Sequence, residues 1–235
     1  MSKLYEALQQ SDPGRRQPGE NRLVSIVPHS AMGGRQSMKV LYQSLENALP
    51  GIPGKAVLFS ASRGGEGTTT LVREFAMSLS LVFKVSVLIV DANPNHGATR
   101  ACGVAEAPAL SDLLRGWQAS DAERTKRAGV TVAIFDPEMA NSAAGPGIAA
   151  TSLGDALRKY FDYVLFDAPA LGSSATAVSL ARHVDGVVII IDSKRTRWPV
   201  VENTKKAYES AGAKVLGVIL NRRTFYIPNW IYKWL

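Results

Sequence analysis

The sequence predicts a doubly wound α/β fold, in which helices cover both faces of a mostly parallel sheet. Nearly continuous apolar runs, such as residues 87–90 and 186–191, are typical of strands that are buried on both faces. Amphipathic stretches of helical length alternate with these runs. The first apolar run of the core spans residues 56–59, and a glycine-rich loop follows it. In such a sheet, a ligand is expected at the carboxyl ends of the strands.

The chain begins with a short amphipathic stretch and a linker. Residues 2–10 place Leu4, Tyr5 and Leu8 on one face of a predicted helix. Residues 11–21 are polar and contain proline and glycine, which indicates a flexible linker. We expect the first helix either to dock on another surface through this tether or to fray as a chain terminus.

The core elements follow in order. Residues 23–27 are predicted to be extended, and residues 36–49 to form an amphipathic helix that the prolines and glycines of residues 50–54 end. Strands are predicted at 56–60, 86–91, 130–135, 162–167, 186–192 and 214–220. Helices are predicted at 68–83, 109–116, 147–160, 174–183 and 199–211.

The length and composition indicate one soluble α/β domain with short ends. We assign residues 1–22 to the first helix and its linker, 23–223 to the domain and 224–235 to an aromatic tail. No apolar run can span a bilayer, the start is unlike a signal peptide, and the single Cys102 excludes an intramolecular disulfide. We therefore expect a cytoplasmic protein.

The net charge of +7 suits phosphate ligands, acidic lipid or nucleic acid. The chain has neither a basic stripe interleaved with aromatic residues nor a helix-turn-helix pattern, so we expect no nucleic-acid partner. Its three dispersed histidines and one cysteine give no zinc-type cluster. A solvated basic surface is the simplest interpretation of the charge.

The glycine-rich loop has the spacing of a P-loop, G-x-x-x-x-G-K-[ST], with two changes. Ser62 stands where the first glycine would be and Thr68 where the lysine would be, whereas Gly67 and Thr69 match. Backbone N–H groups at the start of a helix suit a phosphate, although a structural turn without a ligand is the alternative. The lysine supplies charge to the β- and γ-phosphates, so its loss predicts weakened chemistry, for which Arg63 can partly substitute.

Polar residues end three of the predicted strands. Asp91, Asp167 and Asn221 each follow an apolar run. At the edge of the sheet that also carries the loop, Asp91, Asp167 and Thr69 can hold a hydrated Mg²⁺ against the phosphates. Asp91 can instead accept a proton from an attacking hydroxyl or water. The alternative is that each aspartate caps the helix that follows it.

Several segments match the motifs of one known family. They are SRGGEGTTT at 62–70, VLIVDANP at 87–94, LRKYFDYVLFDAPA at 157–170, and the stretches ALSDLLRG, LARHVDGVVIIID and LGVILNRR. Together they resemble bacterial tyrosine kinases of the CpsD/CapB type, from capsule and exopolysaccharide systems, within the MinD/ParA class of ATPases, whose P-loops deviate from the usual motif. The resemblance covers about residues 36–223.

The resemblance implies a protein at the inner face of the cell membrane that binds ATP or ADP with Mg²⁺. The implied nucleotide-binding residues are Gly64, Gly65, Glu66, Gly67, Thr68, Thr69, Thr70 and Asn221. Family members work with a membrane-embedded, Wzz-like polysaccharide co-polymerase, which here would be a separate chain. Active members form rings and phosphorylate tyrosines in one another's C-terminal tails, so self-association is implied, with Tyr226 and Tyr232 as the acceptors.

The chain departs from the family pattern at positions that concern the charge at the γ-phosphate and the assembly of rings. Thr68 replaces the P-loop lysine, Asn93 the second acid of an Asp-x-Asp motif, and Thr176 a usual aspartate. A ring-contact motif, Glu-x-x-Arg-x-x-Arg, is replaced by Val40, Gln43 and Glu46. These losses favour a degenerate member that regulates exopolysaccharide biosynthesis and export, with reduced or lost kinase activity.

Two other functions stay open. An active tyrosine autokinase would need Arg63, or a lysine from another subunit, to restore the missing charge. A positioning ATPase like MinD or ParA would use the basic surface and the tail at a membrane. Trp230 and Trp234 beside basic residues suit a membrane interface, although the tail can instead cover the domain's own core.

Overall fold

The computed structural model describes residues 34–116, 129–136, 153–158 and 160–222. The helices in these ranges are α1 (Gly34–Ala48), α2 (Thr68–Val82), α3 (Gly97–Ala101), α4 (Leu110–Gly116), α5 (Leu153–Leu157), α6 (Thr176–Ala181) and α7 (Trp198–Ser210). The strands are β1 (Lys55–Ala61), β2 (Val87–Asp91), β3 (Val130–Ile134), β4 (Tyr163–Asp167), β5 (Gly186–Asp192) and β6 (Val215–Asn221).

The six strands form one parallel sheet in the order β3-β2-β4-β1-β5-β6. From β1 the chain moves outward to β2 and β3, returns to β4, and then continues to β5 and β6 on the other side of β1. The topological switch point therefore lies beside β1, where a doubly wound sheet opens a crevice at its carboxyl edge. The loop that follows β1 lies at that edge.

Helices cover both faces of the sheet, which explains why the strands are apolar at successive positions. On one face, α1, α2 and α3 pack on a cluster that includes Leu45, Phe75 and Phe59. On the other face, α4 to α7 pack on a second cluster that includes Leu58 and the fully buried Tyr208. Alternate strand residues thus enter opposite halves of the core.

The predicted fold class is confirmed, and every strand lies within one residue of its predicted bounds. Helix α3 was not predicted, because its five residues, GATRA, are too short to show a periodic pattern. Helix α5 ends at Leu157, three residues before its predicted end, where the Leu157 carbonyl accepts the N–H groups of both Tyr160 and Phe161 in a turn. The predicted elements at 2–10, 11–21 and 23–27 and the tail at 224–235 lie outside the described residues.

Helix α1 is joined to the domain by polar and aromatic contacts. Tyr42 stacks on Phe83 with ring centroids 3.9 Å apart. Glu46 accepts a hydrogen bond from the Tyr163 hydroxyl and lies 3.0 Å from Lys55 Nζ. Glu46 therefore points into the domain, whereas Gln43 is exposed. Among the described helices, none is both long and apolar enough to cross a membrane.

Candidate nucleotide site

The loop between β1 and α2 takes its shape from glycines with positive φ. Gly65 and Gly67 have φ angles of 81° and 92°, which L side chains rarely adopt. A Cβ on Gly67 would also lie 2.3 Å from Asn221 Nδ2. A Cβ on Gly64 or Gly65 would meet nothing within 4 Å, so the outer side of the loop is open. Successive backbone N–H groups in such a loop form an anion-binding nest.

Glu66 lies inside the loop and is only 3% exposed. Its Oε2 accepts the Arg63 N–H at 2.8 Å. Its Oε1 accepts the Asp192 N–H at 3.2 Å and the Thr196 hydroxyl. The side chain thus turns away from the open side of the loop and joins the loop to the end of β5.

Asn221 ends β6 and contacts the same loop. Its Nδ2 donates to the Glu66 carbonyl at 2.8 Å, and its Oδ1 accepts the Arg222 N–H at 2.9 Å. The Asn221 amide group therefore braces the loop from the neighbouring strand end.

Asp167 ends β4 and faces the first turn of α2. Its Oδ2 accepts the Thr69 hydroxyl at 2.8 Å, whereas its Oδ1 is buried without a hydrogen-bond partner. Burial raises the pKa of Asp167 to about 7; the Thr69 hydrogen bond opposes this shift, and the charge of Asp91 adds to it. A buried carboxylate oxygen without a donor is suited to a cation or to a proton.

Asp91 ends β2, and both oxygens of its carboxylate accept hydrogen bonds. Its Oδ2 accepts both the N–H and the hydroxyl of Thr99 at 2.8 Å, and its Oδ1 accepts the Asn93 N–H at 3.2 Å. Thr99 lies in the short helix α3, so Asp91 stabilises the start of that helix, as the capping alternative anticipated. Asp167 does not cap; it binds a residue of α2.

The residues present fit a Mg²⁺ ion that is shared with phosphate. Thr69 and Asp167 supply the hard oxygen ligands that Mg²⁺ prefers, and the orphaned Oδ1 of Asp167 offers a free acceptor. Within the described residues, no group of three or more His, Cys, Asp and Glu side chains can hold a metal alone. A cation here would therefore need phosphate oxygens and water as its other ligands.

The structure brings most of the predicted site residues to one edge of the sheet. Thr68, the first residue of α2, is largely buried, whereas Arg63 and Thr70 are exposed. Tyr226 and Tyr232 lie outside the described residues. Thr99 and Thr196 were missed, because neither lies in a motif: Thr99 is in a helix too short to show a pattern, and Thr196 binds a carboxylate 130 positions away.

The chain is similar in sequence to several known proteins. No protein-family model matches the chain. The tyrosine-protein kinase CpsD of Streptococcus agalactiae is 35% identical over 68 residues, which are 29% of this chain and 30% of the relative. The succinoglycan biosynthesis transport protein ExoP of Rhizobium meliloti is 26% identical over 210 residues, which are 86% of this chain and 26% of the relative. The chain thus matches less than a third of the length of these relatives.

Solved structures agree with the sequence comparison. The chimerical protein CapA2B2 matches with a TM-score of 0.67 and 20% identity over 86% of this chain and 96% of that one. The kinase domain of the Escherichia coli tyrosine kinase ETK matches with a TM-score of 0.64 and 17% identity, over 95% and 90% of the two chains. A ParA family ATPase from Chlorobium tepidum matches with a TM-score of 0.54 and 15% identity, over 77% and 79%.

The fold is therefore that of the ParA-like P-loop ATPases and of bacterial tyrosine-kinase domains. Within that class, the chain is similar in sequence to the CpsD and CapB tyrosine-protein kinases and to ExoP. The resemblance that the motifs predicted is confirmed.

Proposed function

We propose that the chain is a nucleotide-binding, kinase-like component of bacterial exopolysaccharide biosynthesis and export. It regulates a membrane-embedded polysaccharide co-polymerase at the inner face of the cell membrane, and its kinase activity is reduced or lost. The observation that carries the proposal is an open phosphate-type loop beside the Thr69–Asp167 pair, with Thr68 in place of a lysine. Homology to tyrosine kinases and to a succinoglycan transport protein supports the setting.

Each residue has a separate part in nucleotide binding. The backbone amides around Gly64 and Gly65 bind phosphate oxygens, and the start of α2 adds a favourable dipole. Thr69 and Asp167 hold Mg²⁺, which neutralises phosphate charge when it is bound. Asp167 must release its proton to do so, and its pKa of about 7 places that step near neutral pH.

Two features account for weak phosphoryl transfer. Thr68 carries no charge at the position from which a P-loop lysine reaches the β- and γ-phosphates, and the charge of Arg63 lies on an exposed side chain. The oxygens of Asp91, a candidate general base, already accept three hydrogen bonds. Lone pairs that already accept these hydrogen bonds are less available to take a proton from a substrate hydroxyl.

Calorimetry with Mg-ADP and Mg-ATP tests the proposed nucleotide binding. We expect wild type to bind both nucleotides, and Thr68→Lys to bind Mg-ATP about tenfold more tightly, because it adds a charge-assisted contact. Thr204→Val, which removes a hydroxyl that donates to the Val200 carbonyl within α7, is the matched control. If neither wild type nor Thr68→Lys binds, the loop is structural and the proposal is wrong.

The loss of kinase activity and the role in the cell need their own tests. After incubation of wild type with Mg-ATP, we expect mass spectrometry to find Tyr226 and Tyr232 unmodified. Phosphate on either tyrosine would favour the active autokinase instead. A deletion strain is expected to make polysaccharide of altered length or amount, and a normal polymer would contradict the regulatory role.

A further inference from the structure

We propose that Glu66 is a positioning residue, which holds the phosphate-binding loop in its binding conformation by tying it to Thr196. The inference rests on the proposed nucleotide binding. It names the two residues that fix the conformation of the phosphate-binding loop. Thr196 lies 130 positions further along the chain, in the segment that joins β5 to α7.

The hydrogen bonds of Glu66 use all of its acceptor oxygens. The carboxylate accepts hydrogen bonds from Arg63 N within the loop, from Asp192 N at the end of β5, and from the Thr196 hydroxyl in the segment after β5. The backbone carbonyl of Glu66 accepts a further hydrogen bond from the side-chain amide of Asn221, at the end of β6. One residue therefore joins the loop to two neighbouring strand ends.

The position of a carboxylate in an anion-binding loop needs an explanation, because its charge opposes that of a phosphate. Glu66 is 3% exposed, and its carboxylate accepts three hydrogen bonds, two of them from backbone N–H groups. Burial of a carboxylate is unfavourable unless such donors compensate for the lost water. The side chain is thus suited to holding the loop rather than to touching the ligand.

The flanking residues show why such an anchor is useful. Gly65 and Gly67 both have positive φ, and glycines give a loop many accessible conformations. A loop that is already fixed loses less conformational entropy when it binds a ligand. Thr196 also lies between two exposed arginines, Arg195 and Arg197, so the same bond keeps a cationic segment beside a loop that lacks its lysine.

Hydrogen exchange on the nucleotide-free full chain tests the tie without any ligand. In Glu66→Ala and in Thr196→Val, we expect faster amide exchange in both residues 62–70 and residues 192–197, with the central strands unchanged. Controls are Glu202→Ala, which removes a surface ion pair, and Thr204→Val. Unchanged exchange in both segments of both variants would overturn the inference.

A double-mutant cycle on Mg-ADP affinity tests the effect on binding. We expect Glu66→Ala to raise Kd about tenfold and Thr196→Val about threefold, with the double variant no weaker than Glu66→Ala alone. Glu66→Gln, which keeps one acceptor oxygen, should recover part of the affinity. Independent, multiplying effects would overturn the coupling. If wild type does not bind Mg-ADP, the proposed function fails, whereas the exchange experiment still decides whether the tie exists.

Discussion

The ends of β2 and β4 are adjacent and in register, and both carry aspartate, yet their environments differ. Asp91 and Asp167 are direct register partners in the parallel sheet. Thr99 and Asn93 supply three donors to the Asp91 carboxylate, whereas Thr69 supplies the single hydrogen bond of Asp167 Oδ2 and Oδ1 is left without a partner. The first aspartate is satisfied by its own segment, and the second is left with capacity for a ligand.

The path of the chain after each strand explains the difference. After Asp91 the backbone turns back through Asn93, whose N–H donates to the carboxylate, and enters α3, where the N–H and the hydroxyl of Thr99 donate to it as well. After Asp167 the backbone instead continues along β1, where Ala168 N donates to the Phe59 carbonyl and Leu171 N to the Ala61 carbonyl. Those donors therefore never reach Asp167. A carboxylate at a strand end is structural or available for a ligand according to where the next backbone amides go.

The largest expected effect separates the two aspartates by stability. Asp91→Asn should lower the free energy of unfolding by about 2 kcal/mol. The donors of Thr99 and Asn93 that now bind a charged carboxylate would face a neutral amide with only one acceptor oxygen. Asp167→Asn should raise the free energy of unfolding by about 1 kcal/mol at pH 8, because it removes a poorly compensated buried charge. Urea denaturation of both variants at pH 8 measures the difference. Equal losses of stability in the two variants would contradict the comparison. In a separate binding measurement, Asp167→Asn should abolish the Mg²⁺ dependence of ADP binding.

The pH dependence of stability offers a second, smaller contrast. The pKa of Asp167 is raised to about 7 in the folded protein from an ordinary value of 3.8, so the folded state holds a proton that the unfolded state has lost between these values. The stabilisation is complete below the unfolded pKa and is lost as the pH rises through 7. We expect wild type to lose about 1 kcal/mol relative to Asp167→Asn for each pH unit between 5 and 7.

Denaturation of wild type and Asp167→Asn at several pH values from 5 to 8 measures this contrast. Other titrating groups are common to the two proteins, so the difference between the two curves isolates Asp167. Parallel curves would show that Asp167 titrates near its ordinary value, and the contrast with Asp91 would then rest on hydrogen bonding alone.

The sequence predicts the sheet and the polar residues at its carboxyl edge. It does not predict the contacts that give the two aspartates different environments. Continuous apolar runs such as 186–191 located the strands, because burial on both faces demands them. The glycine loop and the two strand-end aspartates were also visible as patterns. The bond between Glu66 and Thr196 spans 130 positions, and two of the three donors to Asp91 come from a five-residue helix without a periodic pattern. Such contacts depend on strand order and on loop paths that local patterns do not encode.

The smallest expected effect probes Gly97, which lies near hydrogen-bond partners of both aspartates. Gly97 begins α3, whose Thr99 satisfies Asp91, and a Cβ on Gly97 would lie 3.1 Å from Thr69 Oγ1, the partner of Asp167. Gly97→Ala should change the free energy of unfolding by less than about 0.5 kcal/mol, because alanine favours the helix while the contact opposes it. It should weaken Mg-ADP binding about threefold, by moving the Thr69 hydroxyl a few tenths of an ångström.

Gly172→Ala is the matched control for Gly97→Ala, because its Cβ would meet nothing within 4 Å. Calorimetry and urea denaturation of the two variants separate an effect on the site from an effect on the fold. If Gly97→Ala binds Mg-ADP as tightly as Gly172→Ala does, the two strand ends act independently. If it loses affinity at unchanged stability, the helix that satisfies Asp91 also sets the position of Thr69, and the structural aspartate then acts on the ligand site through Gly97.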